Sequence, residues 1–588
     1  MRMQEVNLTI NGRAVTVPKG TTILDAAKTL GIDIPTLCHM DLHNTRMHSS
    51  KATCRVCVVE VEGKKNLQPA CVTLVSEGMK VVTNSDRVLT TRKTIVELLI
   101  SDHPRTCLSC AKSGDCELQA LAIRFGIDNV NITGKSQSLF EKDETRSLVR
   151  DMNKCVRCRR CETMCNEVQQ VGALSMTGRG FNAVVNTAFG APSMETVCTH
   201  CGQCAAVCPT GAITEKDATW DVIAALNNPD KTVIVQTAPS VRVAIGEAFG
   251  MAPGSVATGK LVTALREVGF DYVFDTDFAA DLTIMEEGTE LLARLNRYLA
   301  GEKEALPILT SCCPAWVNFF ESQYPDLLQV PSSAKSPQQM FGAIAKTYFA
   351  EKIGVRREDL VLVSVMPCLA KKMEAGRAEF SVDGNPDVDL VLSTRELARL
   401  IQRKDINLAD LPDGGFDNPL GESTGAGVIF GSTGGVIEAA VRTAYEVHTG
   451  KTCPSVDFTA LRGFEGVRIA EIDVDGLPLK IAVAHGLGNA RGLLDEIRAG
   501  NPRGIHAIEV MACPGGCIGG AGQPYHHGDQ NVILARQKAI YEIDRDMPLR
   551  KSHENPSVLA LYRDFLGEPA SELAHALLHT AYQAQDKY

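Results

Sequence analysis

The cysteines constrain this chain more than any other feature, because they fall in tight sets separated by long stretches without any. Of 21 in 588 residues, fifteen precede residue 210. That density is far below a disulfide scaffold, and thiols grouped this way are metal ligands rather than bridge partners. Cys155-Val-Arg-Cys158-Arg-Arg-Cys161-Glu-Thr-Met-Cys165 recurs as Cys198-Thr-His-Cys201-Gly-Gln-Cys204-Ala-Ala-Val-Cys208. A doubled run of this spacing holds two 4Fe-4S clusters, the fourth cysteine of each run serving the other cluster. The expected sets are Cys155, Cys158, Cys161 and Cys208, and Cys198, Cys201, Cys204 and Cys165. Asn166 replaces the proline usual after the first run, which affects the turn more than ligation. His200 is expected at the surface or behind the ligands, not among them.

The remaining composition is that of several globular domains, with 44% apolar and 22% charged residues. A net charge of -10 argues against nucleic acid, since phosphate binding needs a basic face. The opening Met1-Arg-Met-Gln-Glu-Val-Asn7 lacks an apolar signal core, and no run approaches the ~18 apolar residues of a membrane span. A cytoplasmic protein without membrane contact is expected.

Near the start, Val6, Leu8 and Ile10 alternate with polar neighbours, Asn11-Gly12 marks a hairpin turn, and Ala14 to Val17 returns as a strand. A helix is expected over Thr22 to Leu30. Cys38, Cys54, Cys57 and Cys71 follow. Their spacing resembles the plant-type 2Fe-2S ferredoxin domain of larger iron-sulfur oxidoreductases, a β-grasp fold, although Ala52 stands where that family tends to carry glycine. A structural zinc is the plainer alternative. A helix over Val88 to Leu99 then leads into His103, Cys107, Cys110 and Cys116. One imidazole and three thiolates suit a 4Fe-4S cluster or zinc. The H-x3-C-x2-C-x5-C setting resembles the cluster site of complex I large subunits and multi-cluster hydrogenases.

Three apolar runs later in the chain each stop at cysteine: Leu306 to Cys312-Cys313-Pro-Ala-Trp316, Leu360 to Met366-Pro-Cys368, and Ile505 to Cys513-Pro-Gly-Gly-Cys517. In an open parallel sheet ligands gather beyond strand carboxyl ends, so these segments are expected to converge on one metal centre. Other extended runs are Thr232-Val235, Tyr272-Phe274, Leu390-Leu392, Val428-Phe430 and Ile481-Ala484. Gly486-Leu-Gly488-Asn-Ala-Arg491 lacks the third glycine of a dinucleotide fingerprint and reads as a strand-to-helix turn.

Thr310-Ser-Cys312-Cys313-Pro-Ala-Trp316, Met366-Pro-Cys368-Leu-Ala-Lys371-Lys372-Met-Glu374 and Glu509-Val-Met511-Ala-Cys513-Pro-Gly-Gly-Cys517 closely resemble the three signature motifs of the iron-only (FeFe) hydrogenases. The resemblance spans essentially the whole chain and is closest to the catalytic subunit of NADP-reducing hydrogenase complexes and to monomeric clostridial-type enzymes. Departures are Ala315 and Ala521, where glycine is usual. It implies a multidomain α/β and α+β protein: a 2Fe-2S domain over 1–80, a histidine-ligated 4Fe-4S domain over 81–145, and a two-cluster ferredoxin domain over 146–220. A large α/β hydrogenase domain over 221–530 and a small helical C-terminal segment over 531–588 complete it.

By the same resemblance, Cys313, Cys368, Cys513 and Cys517 would hold a 4Fe-4S cubane, Cys517 bridging to a diiron dithiolate unit with carbonyl and cyanide ligands, together the H-cluster. Ala238, Pro239, Ser240, Gln338, Met366, Pro367, Lys371 and Met511 would line the pocket. Taken singly these are ordinary core residues and a solvated lysine. Cys312 would carry protons toward Glu287, Ser332 and Glu290, with Arg294 near the exit. Cys453 belongs to no set and reads as an ordinary thiol.

The implied reaction is reversible heterolytic cleavage of dihydrogen, with electrons leaving through one 2Fe-2S and three accessory 4Fe-4S clusters. Implied partners are flavin- and NADP-binding subunits, 2Fe-2S subunits and maturation proteins for the diiron unit. A free-standing ferredoxin-linked hydrogenase shares every motif. A hydrogen sensor or iron-sulfur assembly protein of the same fold would be expected to lose part of the pocket. An electron-entry subunit like that of complex I leaves the three later motifs without purpose.

Overall fold

The computed structural model describes residues 4–40, 42, 49, 51–132 and 140–587. The leader reading over Met1-Arg-Met3 lies outside the described residues. At the N-terminus, the strand Glu5–Ile10 turns through Asn11 and Gly12, both at positive φ, and pairs antiparallel with Arg13–Pro18. Glu5–Ile10 also pairs parallel with Lys80–Val82, which joins Val58–Val61 and Gln68–Pro69 in a mixed five-stranded sheet. The helix Ile23–Thr29 starts where the Thr22 side chain accepts the Asp25 amide. Its buried Ile23, Leu24, Ala26 and Ala27 pack with Val6, Leu8, Ile10 and Val59. The second helix, Asp86–Ser101, is capped by Ser85 and runs slightly longer at both ends than its apolar pattern predicts.

The internal repeat is copied in the backbone. Arg157 and His200 sit between the first two cysteines of their runs, and both have φ of 56°. Arg159 and Gly202 follow the second cysteine in each run, at 63° and 76°. The left-handed turns, rather than the side chains on them, shape each thiol loop.

Two sheets, not one, build the large domain. The first is parallel throughout, in the order Tyr272–Asp275, Thr232–Thr237, Leu360–Met366, Leu390–Ser393. The second runs Ile308–Leu309, Ala507–Met511, Leu477–His485, Val467–Val474, with only the last pair antiparallel. Near-continuous Val, Ile and Leu in the central strands reflects burial on both faces.

One expected strand is a helix. Val428-Ile-Phe430 lies at the end of Gly425–Ile429, started by the Thr424 side chain accepting from the Ala426 amide at 3.2 Å. A short apolar run does not reveal its period. Glycine decides here: a Cβ on Gly427 would stand 2.6 Å from the Asp277 carbonyl oxygen, so this turn packs backbone to backbone on the helix Thr276–Leu299. The C-terminal segment is helical over Gln530–Asp546, Pro556–Leu561 and Glu572–Leu578. It returns to the large domain, where the Lys335 amide donates to the Leu578 carbonyl and the Thr580 amide to the Ser333 carbonyl. Among the described residues, no helix is long and apolar enough to cross a membrane.

Candidate functional site

The thiols of the later motifs stand just beyond strand ends in both sheets. Cys368 follows Leu360–Met366 of the first sheet. Cys313 and Cys513 follow Ile308–Leu309 and Ala507–Met511, which are neighbours in the second. Cys313 caps the helix Pro314–Gln323, and its sulfur accepts the Ala512 amide at 3.5 Å. Burial pushes the Cys513 thiol well up, and the Cys368, Cys313 and Cys517 sulfurs push it the same way. Cys517 is raised by burial and then by Cys368 and Cys313. The four thiols therefore lie close enough to act on one another electrostatically.

The Cys513–Cys517 loop is possible only with glycine. Gly515 and Gly516 have φ of 82° and 96°, and a Cβ on Gly516 would stand 2.6 Å from the Thr433 amide nitrogen. The Gly522 amide donates to the Pro367 carbonyl at 2.8 Å, tying the exit of one sheet to that of the other. The alanines at 315 and 521 are fully packed.

Ala238 donates its amide to the Val365 carbonyl, setting Ala238-Pro239-Ser240 beside Met366 and Pro367. Lys371 is buried, and its ammonium donates to the Cys312 carbonyl at 3.1 Å and to Glu374 at 2.9 Å. Gln338 donates to Glu374 at 3.0 Å and to the Lys371 carbonyl. Gln523, which sequence reasoning missed, donates to the Ser240 carbonyl at 3.0 Å. The buried Oε1 atoms of Gln338 and Gln523 have no partner among the described residues. Met511 is buried against Gly516.

Cys312 lies between Glu287 on one side and Cys313 and Cys517 on the other, and feels all three. Burial raises its thiol, and Glu287 contributes next. Both Glu287 oxygens are buried and make no close hydrogen bond among the described residues; burial, reinforced by Glu290 and offset in part by the neighbouring Ser311 backbone and Ser332 hydroxyl, pushes this carboxyl up to about 8. Glu287 and Glu290 share the helix Thr276–Leu299. Ser332 Oγ donates to Glu290 Oε2 at 2.8 Å, and Arg294 closes on Glu290 Oε1 at 2.6 Å. A branch not foreseen leaves at Ser333, whose hydroxyl lies 3.3 Å from Glu290 and 2.8 Å from His579 Nδ1. His579 Nε2 meets Glu286 at 2.9 Å. Contacts spanning 293 residues leave no local trace beyond the i, i+4 pair His575 and His579.

In the N-terminal sites, Cys38, Cys54, Cys57 and Cys71 are all buried. Cys38 is within hydrogen-bonding reach of Cys54 and Cys71, and Cys57 of Cys71. Ala52 adopts φ of 52°, the left-handed conformation that explains the family's glycine there. His103 Nδ1 is buried without a partner among the described residues, and burial lowers the ring to about 4. A neutral, unpartnered imidazole is what ligation requires. Cys116 is raised by burial, with Cys110 and Cys107 contributing.

Beyond burial, Cys161 feels Cys158, Cys155 and Cys208 first and then Cys204, whereas Cys204 feels Cys201, Cys198 and Cys165, the pattern a crossed pair of sets would give. His200 is buried, its Nδ1 3.5 Å from Ser147 Oγ. The second set abuts the catalytic loops: a Cβ on Gly202 would stand 2.7 Å from Leu369 Cδ1 and 2.9 Å from the Ala521 Cβ. Cys453 lies apart, its thiol donating to the Ser455 carbonyl at 3.0 Å. The turn at Gly486 joins strand to helix, and Gln169 Oε1 accepts the Leu487 amide at that helix start. Across the molecule the donor sets are soft thiolates with one imidazole, and all 21 cysteines are free thiols, a chemistry that fits iron-sulfur clusters.

These sets define a multi-cluster iron-sulfur oxidoreductase. Residues 231–521 match the profile of the iron only hydrogenase large subunit, C-terminal domain, and 530–585 that of the iron hydrogenase small subunit. A 2Fe-2S iron-sulfur cluster binding domain matches at 3–86, the NADH-ubiquinone oxidoreductase-G iron-sulfur binding region at 92–131, and a 4Fe-4S dicluster domain at 154–212. The chain is 61% identical to the NADP-reducing hydrogenase subunit HndD of Solidesulfovibrio fructosivorans over 99% of both chains. It is 38% identical to iron hydrogenase 1 of Clostridium pasteurianum, covering 98% of this chain and 99% of that one. The apo FeFe-hydrogenase HydA1 of Chlamydomonas reinhardtii superposes with a TM-score of 0.56 at 45% identity, over 63% of this chain and 99% of that one. The chain belongs to the iron-only hydrogenase family.

Proposed function

We propose that this hydrogenase cleaves dihydrogen reversibly and heterolytically at a diiron-cubane centre held by Cys313, Cys368, Cys513 and Cys517. The reading is supported by the placement of Cys313, Cys368 and Cys513 just beyond strand ends of two sheets, with each of these thiols and Cys517 acting electrostatically on the others. When bound, the iron centre would polarise dihydrogen and accept its two electrons. The unpartnered Gln338 and Gln523 oxygens, the Lys371 ammonium and the glycine-lined loop would orient it.

Protein groups handle the proton. The Cys312 thiol takes it from the centre and passes it to the Glu287 carboxyl, whose elevated position near 8 suits exchange around neutral pH. Ser332 relays it to Glu290, and Arg294 holds that carboxylate at the exit. The Cys198 set, which abuts Leu369 and Ala521, and beyond it the Cys155, histidine-cysteine and 2Fe-2S sets would hold the clusters that supply a path for the electrons. By likeness to the NADP-reducing hydrogenase subunit, the electrons would end on NADP through partner subunits; that those partners carry flavin and that the assembly is cytoplasmic are further parts of the proposal.

Infrared spectra of the anaerobically matured protein test the centre directly, since iron-bound carbonyl and cyanide absorb where protein does not. Bands are expected, and their absence from iron-replete protein refutes the reading. Size-exclusion of the native assembly tests the partners: dihydrogen-dependent NADP reduction should migrate with flavin, and uptake running alone would overturn that part.

A further inference from the structure

Arg160 lies between Cys158 and Cys161 and is 2% exposed. Its guanidinium forks onto Glu117, Nη1 to Oε1 at 2.6 Å and Nη2 to Oε2 at 2.8 Å. The same Nη2 donates to the His39 carbonyl at 3.0 Å. His39 follows Cys38, and Glu117 follows Cys116. One side chain from the first ferredoxin run therefore bonds to residues adjoining a cysteine of the 2Fe-2S site and one of the histidine-cysteine site.

The backbone adds a second tie at the same point. The Glu117 amide donates to the Pro209 carbonyl at 2.9 Å, and Pro209 follows Cys208. A Cβ on Gly211 would stand 2.5 Å from Cys110 Sγ, so no side chain fits between these segments. Adhesion alone does not call for such chemistry. Burying a guanidinium carries a desolvation cost of several kcal/mol, and well-packed apolar residues hold domains together as well. Arg160 Nε has no partner among the described residues, which adds to that cost. A buried cation does something apolar packing cannot: it stabilises an added electron on each cluster nearby.

We propose that Arg160 and Glu117 form the junction of the electron path, a positioning pair that keeps the 2Fe-2S, histidine-cysteine and first ferredoxin sites in electron-transfer contact. The inference rests on the cluster assignments under the proposed function. In each passage one electron leaves the reduced site of Cys155, Cys158, Cys161 and Cys208, which is oxidised. It arrives at either the 2Fe-2S or the histidine-cysteine site, which is reduced, and no bond is made or broken. Dihydrogen oxidation refills the donor, and a one-electron viologen dye discharges the acceptor.

The test is freeze-quench electron paramagnetic resonance on holoprotein of wild type, Arg160→Gln, Arg160→Lys and Glu117→Gln, with iron content measured throughout. Under dihydrogen the site of Cys198, Cys201, Cys204 and Cys165, none of which borders Arg160 in sequence, should be reduced at the wild-type rate in every variant. The 2Fe-2S and histidine-cysteine signals should rise about tenfold more slowly in Arg160→Gln, the scale of one buried charged hydrogen bond. Their equilibrium midpoints should fall by the same factor, ~59 mV for one electron, in Arg160→Gln. They should rise in Glu117→Gln, which leaves the cation unneutralised. Arg160→Lys should recover the midpoint but not the rate, because an ammonium lacks the fork. Wild-type rates and midpoints in iron-replete Arg160→Gln overturn the proposal, as does loss of iron from both Arg160→Gln and Glu117→Gln. Absence of a 2Fe-2S signal from wild type overturns the cluster assignment itself, a distinct failure.

Discussion

Glu287→Gln removes a carboxyl that burial holds up to about 8 while keeping its shape. From an ordinary 4.5, that rise corresponds to roughly 5 kcal/mol against the ionised form. The sign follows from linkage. The raised carboxyl binds its proton more tightly folded than unfolded, so its stabilising effect is complete below pH 4.5 and lost as pH climbs toward 8. Glutamine carries no such dependence. The variant should gain on wild type steadily across that window, by up to ~5 kcal/mol above it. A protein of several domains does not unfold in one step, so the measurement is local: amide hydrogen exchange of Thr276–Leu299 in both proteins from pH 5 to 9. Turnover should meanwhile fall by about 100-fold to 10,000-fold, the usual worth of a positioned proton carrier. Parallel exchange profiles would show that the carboxyl is not buried as described. Undiminished turnover would remove Glu287 from the relay.

Cys312→Ala should keep the carbonyl and cyanide bands while nearly abolishing turnover, and intact turnover would refute the thiol's part in proton transfer. Ala52→Gly should relieve the left-handed strain at φ of 52°, and by about 1 kcal/mol should slow loss of the 2Fe-2S cluster on mild chelation, followed by its visible absorbance. Gly516→Ala should cost about 3 kcal/mol or more, because its Cβ would meet the Thr433 backbone, and iron analysis should show the catalytic centre depleted with the accessory clusters retained.

Cysteine spacing made the iron-sulfur domains legible because thiol loops are short and local. Most strands of the large domain could be read from their apolar runs, and with them the position of Cys313, Cys368 and Cys513 just beyond strand ends. Val428-Ile-Phe430 could not, since the close backbone contact at Gly427 that makes it helical comes from Asp277, far away in sequence. Nor could the division into two sheets, because parallel strands carry no sign of which neighbour they pair with. The Ser333, His579 and Glu286 branch and the Gln523 contact to Ser240 were hidden for the same reason. Ala52 shows the reverse: its departure from glycine was visible at once, but its φ angle was needed to say what the departure costs.

Because the cysteines proposed to hold the catalytic centre follow strands of separate sheets, their spacing depends on the seam where the Gly522 amide meets the Pro367 carbonyl. Slippage there by a fraction of an ångström would pull the thiolates apart while leaving every strand paired. Damage at that seam should register first as an altered vibrational or magnetic signature of the metal centre, in a molecule whose circular dichroism is still native.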